Sequence, residues 1–186
     1  MAMSILVIDY NGVIADIRKI HSRPVPLQFK PDLVLPNGQK IYMRNGWKRF
    51  LRSIVMIART NNAAIVSYTS RLAKNAVPLE SFMDDAVPSF AVRTRLYGED
   101  CIEPSAGTFH PTKSVNRVWS AFGRGNVPTV FMDDHPERID MEGHSDAVSL
   151  VKVPTFTMDS GTDRSDSLSR ALFDVWTRLS DVKYKI

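Results

Sequence analysis

Three apolar runs in this chain stop abruptly on oxygen-bearing side chains. Residues 5–8 run into Asp9, "AAIVSY" runs into Thr69 and Ser70, and "VPTVFM" runs into Asp133 and Asp134. Their residues are apolar at consecutive rather than alternate positions, the pattern of a strand covered on both faces. Such strands belong to parallel sheets, whose carboxyl ends share one edge where ligands bind. Polar groups far apart in sequence can therefore meet.

The stretches between these runs supply the covering layers. "GWKRFLRSIVMIARTN" has apolar residues at 47, 50, 51, 54, 55, 57 and 58, a helical spacing that stops at Asn61-Asn62. "FKPDLVLPNGQKIYMRNG" reads as a hairpin, with strands over 33–35 and 40–43 around Pro36, Asn37 and Gly38. "RLAKNAVPLESFMDD" predicts one helix or two short ones broken near Pro78, and "FAVRTRLYG" predicts a strand. Residues 102–112 read as loop, "TKSVNRVWSAF" as a helix capped by Thr112, and "DAVSLVKV" as a further strand. A polar loop over 157–166 precedes an amphipathic final helix, "SLSRALFDVWTRLS". Strands alternating with helices imply an α/β fold, a central sheet sandwiched between helices. With 186 residues and no internal repeat, a single domain over 1–186 is expected.

Composition narrows the setting. No run approaches the roughly 18 apolar residues of a membrane span, and "MAMSILV" lacks the features of a signal peptide. The lone cysteine, Cys101, cannot form an internal disulfide, which fits an intracellular compartment, cytoplasm or nucleus. A net charge of +4 fits phosphorylated or other anionic partners, though scattered Lys and Arg also fit mild basicity alone. His21 and His110 read as surface loop residues, and no His/Cys spacing suggests zinc. Trp47, Trp119 and Trp176 fall at helix-core positions, and Cys101 reads as a small core residue rather than a nucleophile.

The strand-end residues carry more chemistry. Carboxylates on neighbouring strand ends repel one another unless a cation lies between them, and such oxygen ligands suit Mg²⁺. A hydroxyl from Thr69 and the ammonium of Lys113 would then hold phosphate oxygens, leaving Asp9 to attack phosphorus. Individually each has an ordinary explanation: a cap at Asp9, a buried hydroxyl at Thr69, a surface lysine at 113, turn chemistry at Asp133-Asp134. Their order and spacing together favour the chemical reading.

Asp9-x-Asn11-Gly12-Val13 resembles the first motif, D-x-D-x-[TV], of the haloacid dehalogenase superfamily of aspartate-nucleophile phosphatases. "IVSYTS" is similar to its second motif, Lys113 suits the third, and "VFMDDHP" looks like the fourth. Within that superfamily the chain most resembles the small phosphatases of the RNA polymerase II carboxy-terminal domain. "KIYMRNGWKRFL" is similar to their "VYVxxRPxxxxFL", "TSRLAKNAVPLESFMD" to "TASxxxYAxxxxxxLD" and "VRTRLYGEDCI" to "xxxRLxRExC". The resemblance implies a mostly parallel sheet between helices, a small β-hairpin insertion and no large cap. It implies Asp9 as nucleophile, with Mg²⁺ bound by Asp9, Asp134 and the backbone carbonyl of Asn11. Thr69, Ser70 and Lys113 would grip the phosphoryl group, and Asp133 would orient Lys113 behind them. A phosphorylated protein is the favoured substrate. "DYNGVIAD" also resembles the "DxDGVxAD" opening of nucleotidases in the same superfamily, so a nucleotide or nucleic-acid end phosphate is the alternative.

The chain departs from that pattern in three places. The family's phosphate-binding arginine is matched by Gly98, so Arg44, Arg93 or Arg95 would have to supply its charge. The loop before Lys113 is longer by about two residues than in the resembled family. The second aspartate of the first motif, the family's general acid and base, is Asn11. General acid–base catalysis is worth about 10² to 10⁴-fold, and an amide cannot perform it. Three readings remain open: a substitution made to trap substrate, a slow phosphatase using Asp16 or His135 instead, and a catalytically dead module that binds a phosphoprotein.

Overall fold

The computed structural model describes residues 4–18, 25, 29–103, 110–158 and 166–183, without the side chains of 182 and 183. Its strands are β1 (Ser4–Ile8), β2 (Ala15–Arg18), β3 (Leu33–Val34), β4 (Lys40–Met43), β5 (Ala63–Tyr68), β6 (Thr94–Leu96), β7 (Lys113–Ser114), β8 (Thr129–Asp133), β9 (Ile139–Asp140) and β10 (Val148–Lys152). Its helices are α1 (Trp47–Thr60), α2 (Ala73–Ala86), α3 (Val115–Ser120) and α4 (Asp166–Lys183). His21 and the loop stretches 104–109 and 159–165 lie outside the described residues.

β1 is the centre of a five-stranded sheet of order β10-β8-β1-β5-β6, and every pairing is parallel. The consecutive apolar residues of β1 divide between two cores. Leu6 and Ile8 join the cluster built by α1, α2 and α4, while Ile5 and Val7 join the one built by α3. All four are essentially inaccessible to solvent, and such burial is worth about 1.5–3 kcal/mol for each side chain. From β1 the chain builds β5 and β6 on one side, then crosses to build β8 and β10 on the other. The reversal falls at β1/β8, and such a switch point opens a crevice at the carboxyl ends of the strands.

α1 buries Trp47, Phe50, Leu51, Ile54, Val55 and Ala58 on one face. It ends where expected, with Asn62 in the left-handed region at φ 51°, a conformation Asn tolerates better than most residues. The expected hairpin forms from β3 and β4 in antiparallel register, but β4 also pairs with β2. That third strand, only four residues long, carries no sequence pattern of its own.

α2 is one continuous helix with Pro78 inside it, the first of the two forms expected for that stretch. Other expectations are corrected. The strand read from "FAVRTRLYG" shrinks to β6. Lys113 and Ser114 pair with β9 instead of opening a helix. α3 therefore starts later, and the Ser114 hydroxyl, not Thr112, accepts from the Arg117 amide as its cap. Trp47 and Trp119 are buried, whereas Trp176 lies exposed beside exposed Phe173.

Candidate functional site

Each predicted strand-end acid reaches the crevice because its strand is held in the parallel ladder. The Asp9 amide donates to the Met132 carbonyl, which brings the end of β1 level with the end of β8. Asp9, Asp133 and Asp134 are all buried, and each can offer an oxygen within 4.8 Å of the others. Lys113 comes from β7 and places its Nζ 3.0 Å from Asp9 Oδ2 and 2.6 Å from Asp133 Oδ2. The other oxygen of Asp9 accepts from the Tyr10 amide, and that of Asp133 from the His135 amide, both at 2.7 Å. Asp133 is thus engaged at both oxygens and braces the lysine.

Asp134, in the same cluster, packs against the turn after β1. Its carboxylate lies where a Cβ at position 12 would be, and Gly12 also has φ +80°. Any side chain there would meet the acid and strain the backbone. The Gly12 carbonyl accepts from Phe156 at 2.6 Å, and Thr155 hydrogen-bonds Asp134, so the segment after β10 seals the turn that follows β1. His135 Nε2 lies 3.6 Å from Asp134, with Nδ1 2.7 Å from Glu137. Asn11 itself is exposed at the start of this turn.

The electrostatics show a surplus of negative charge. Burial pushes the Asp9 carboxyl up to about 7, with Lys113 opposing and Asp133 and Asp134 adding to the rise. Burial and then Asp133 also raise Asp134. Burial alone would lower Lys113, but Asp9 and Asp133 outweigh it and hold the ammonium charged. Three carboxylates sharing one buried ammonium leave room for a further cation, and the all-oxygen donor set fits a hard one such as Mg²⁺. Asp9, Asp134 and the carbonyl of Asn11 are the groups that would hold it.

Thr69 follows β5 and is buried, its amide donating to the Leu96 carbonyl and its hydroxyl accepting from the Arg71 amide. Ser70 is exposed next to it. The sequence-selected arginines, in contrast, do not reach the crevice. Arg44 is 1% exposed and donates to the carbonyls of Val13 and Pro154, at 2.9 and 3.2 Å, with Phe156 stacked beneath. It is a clamp under the turn rather than a substrate ligand, because a buried guanidinium must spend its donors on the backbone around it. Arg95 is tied to Asp84 at 2.6 Å and Glu80 at 3.4 Å. Exposed Arg93 donates its amide to Ile65, near the start of β5 and away from the carboxyl edge. Asp16, one replacement considered for the missing acid, accepts at Oδ2 from both Arg18 Nε and the Met158 amide.

The residue missed in sequence was Arg71. Its guanidinium donates to Gln39 Oε1 at 3.0 Å and to the Ile17 carbonyl at 3.4 Å. Burial lowers its pKa against the opposing pull of Asp9. The available signal was its place directly after Thr69-Ser70, one residue beyond the hydroxyls. Gly98, opposite, shows why no side chain replaces it: a Cβ there would lie 2.8 Å from the Ser70 carbonyl oxygen. Its amide donates to the Arg71 carbonyl at 2.6 Å.

Comparison with known proteins agrees with this fold. No curated protein matches the chain. Among solved structures, fission yeast RNA polymerase II CTD phosphatase Fcp1, as a variant bound to beryllium fluoride, superposes with a TM-score of 0.54 at 18% identity. The match covers 96% of this chain and 51% of that one, so the chain spans about half the length of its structural relative. At that identity the likeness concerns the fold, which is of the haloacid dehalogenase type. The family description "NLI interacting factor-like phosphatase" matches residues 4–184, nearly the whole chain, and it is to this family of phosphatases that the protein belongs.

Proposed function

We propose that the protein is a Mg²⁺-dependent phosphatase in which Asp9 is the nucleophile and a phosphorylated serine or threonine of a protein is the substrate. The observation that carries this reading is the meeting of Asp9, Lys113, Asp133 and Asp134 at one strand edge, from three separate strands. A bound Mg²⁺ would neutralise the carboxylates and the phosphoryl oxygens.

The remaining chemistry belongs to the chain. A lone pair on one carboxylate oxygen of Asp9 attacks phosphorus, the bond to the substrate oxygen breaks, and an aspartyl-phosphate forms. Lys113, held charged by Asp9 and Asp133, stabilises the phosphoryl oxygens as negative charge shifts among them. Thr69 supplies a hydroxyl at the same edge. Water then attacks phosphorus and releases phosphate, restoring Asp9. The leaving oxygen must gain a proton and the attacking water must lose one. The amide of Asn11 can do neither, so solvent water has to supply and accept these protons and this sequence turns over slowly.

The test restores the acid. The Asn11→Asp form, with Mg²⁺, is assayed on a phosphopeptide, a mononucleotide and a 3′-phosphorylated oligonucleotide. Faster release from the phosphopeptide is expected, while preference for either of the others would move the substrate to the nucleotide or nucleic-acid class. Asn11 itself favours a second reading, a module that holds a phosphoprotein without hydrolysing it. Tight phosphopeptide binding with no turnover, persisting in the Asn11→Asp form, would establish that reading instead.

A further inference from the structure

The crevice wall opposite Asp134 is made by the segment 69–71 and by the second sheet, and Arg71 joins the two. Its guanidinium is fixed by the Gln39 side chain at the β3–β4 turn and by the Ile17 carbonyl on β2. Asn37 of the same turn donates to Asn75 on α2 at 3.2 Å, which holds the hairpin against this wall. Both acceptors on Arg71 are neutral, and among the described residues no carboxylate forms an ion pair with it. The charge it feels is that of Asp9. A guanidinium has more donors than these two bonds use, and its fork matches two oxygens of a phosphate.

Three other cations near the motifs have carboxylate or carbonyl partners of their own. Lys113 is shared by Asp9 and Asp133, Arg44 is enclosed by backbone carbonyls, and Arg95 is paired with Asp84 and Glu80. Position 98 has no room for a side chain, and its amide pins the backbone of Arg71 from the far side. We infer that Arg71, anchored on the hairpin sheet by its guanidinium and on the Thr69 hydroxyl by its amide, is the residue that binds the substrate's phosphate group from the crevice wall. This inference rests on the phosphatase reading above. It makes the hairpin part of the recognition machinery, because moving Gln39 or Ile17 would move the charge.

Titration calorimetry with inorganic phosphate in the presence of Mg²⁺ tests it without requiring turnover. Arg71→Ala should weaken phosphate binding by about 10-fold or more, Arg71→Lys should recover part of it, and added guanidinium ion should restore part of it to the alanine variant. Arg95→Ala should bind as the parent does. Melting temperatures of all variants accompany the titrations. If the parent binds phosphate and Arg71→Ala binds it equally well, the inference fails while the phosphatase reading stands. If weakened binding is matched by Arg95→Ala, or comes with a lowered melting temperature and no recovery by lysine or guanidinium, the role is not recognition and the inference is overturned. A parent chain that binds no phosphate overturns the inference and the phosphatase reading together.

Discussion

Two buried acidic clusters flank β5, and they are built on opposite principles. Beneath the strand, Glu80 accepts from the Ser67 hydroxyl at 2.9 Å and the Tyr97 hydroxyl at 2.8 Å, with Arg95 Nε at 3.4 Å. One carboxylate there meets two hydroxyl donors and a guanidinium charge. At the carboxyl edge, three carboxylates meet one ammonium, and two of them are driven above their usual range. A satisfied cluster holds the fold together, whereas an under-compensated one waits for a cation or substrate to complete it. Burial alone does not distinguish the two, since Glu80 and Asp133 are almost equally hidden.

The contrast is tested hardest by removing the nucleophile. In a form with aspartate restored at position 11, Asp9→Asn should reduce phosphate transfer to background, measured by single-turnover release. Lys113→Ala in the same form should cost about 10²- to 10³-fold, the scale for losing one group aimed at developing charge. Retained activity in the Asp9 variant would end the covalent mechanism.

The satisfied cluster should respond in stability instead. Glu80→Ala strands the Ser67 and Tyr97 hydroxyls and leaves Arg95 with Asp84 alone. A loss of about 3 kcal/mol in denaturant unfolding is expected, with phosphate affinity unchanged at temperatures where the variant remains folded. A variant that kept its stability but lost phosphate binding would reverse the assignment of the two clusters.

pH separates the clusters more finely. In the metal-free protein the folded Asp9 carboxyl titrates near 7, above its ordinary value of 3.8. A raised carboxyl destabilises the fold once ionised. The penalty is absent below 3.8, grows through the window up to about 7, and is complete above it. Asp9→Asn should therefore gain melting temperature relative to its parent on the alkaline side of that window and lose the advantage on the acid side. Excess Mg²⁺ should shrink the alkaline gap by stabilising the parent. An advantage independent of pH would mean that Asp9 carries no such strain.

The smallest effect is expected at Cys101, which lies between the clusters. Burial raises its pKa, and its thiol points to the Tyr97 carbonyl at 3.7 Å. Cys101→Ser should change phosphate transfer by less than about 2-fold, within the ordinary range of a substitution away from the chemistry. Strong inactivation by a thiol-directed reagent that the serine variant escapes would place the cysteine nearer the reaction than its contacts indicate.

Much of this organisation could be read along the chain. Apolar runs that end on Asp9, Thr69 and Asp133-Asp134 imply a parallel sheet with one functional edge, because covering both faces of a strand removes alternation. The helical spacing of α1 and its stop at Asn61-Asn62 are equally local, as is the hairpin turn at 36–38. Lys113 could be named from its order among the motifs, though not the strand that carries it, since Lys113 and Ser114 are extended only through pairing with Ile139 and Asp140.

What only the tertiary structure decided is where each charge is spent. In sequence, Arg44, Arg71 and Arg95 are equivalent cations near recognisable motifs. Arg44 is withdrawn by carbonyls at 13 and 154, and Arg95 by acids on α2, while Arg71, beside Thr69, is held among the described residues by neutral acceptors alone, a carbonyl at 17 and a side-chain amide at 39. Asp16 is held at one oxygen by an amide 142 residues away. Strand and helix follow from neighbours a few positions apart, so periodicity reveals them. A side chain's hydrogen-bond partner is chosen by register and packing across the whole chain, and no local pattern contains that choice.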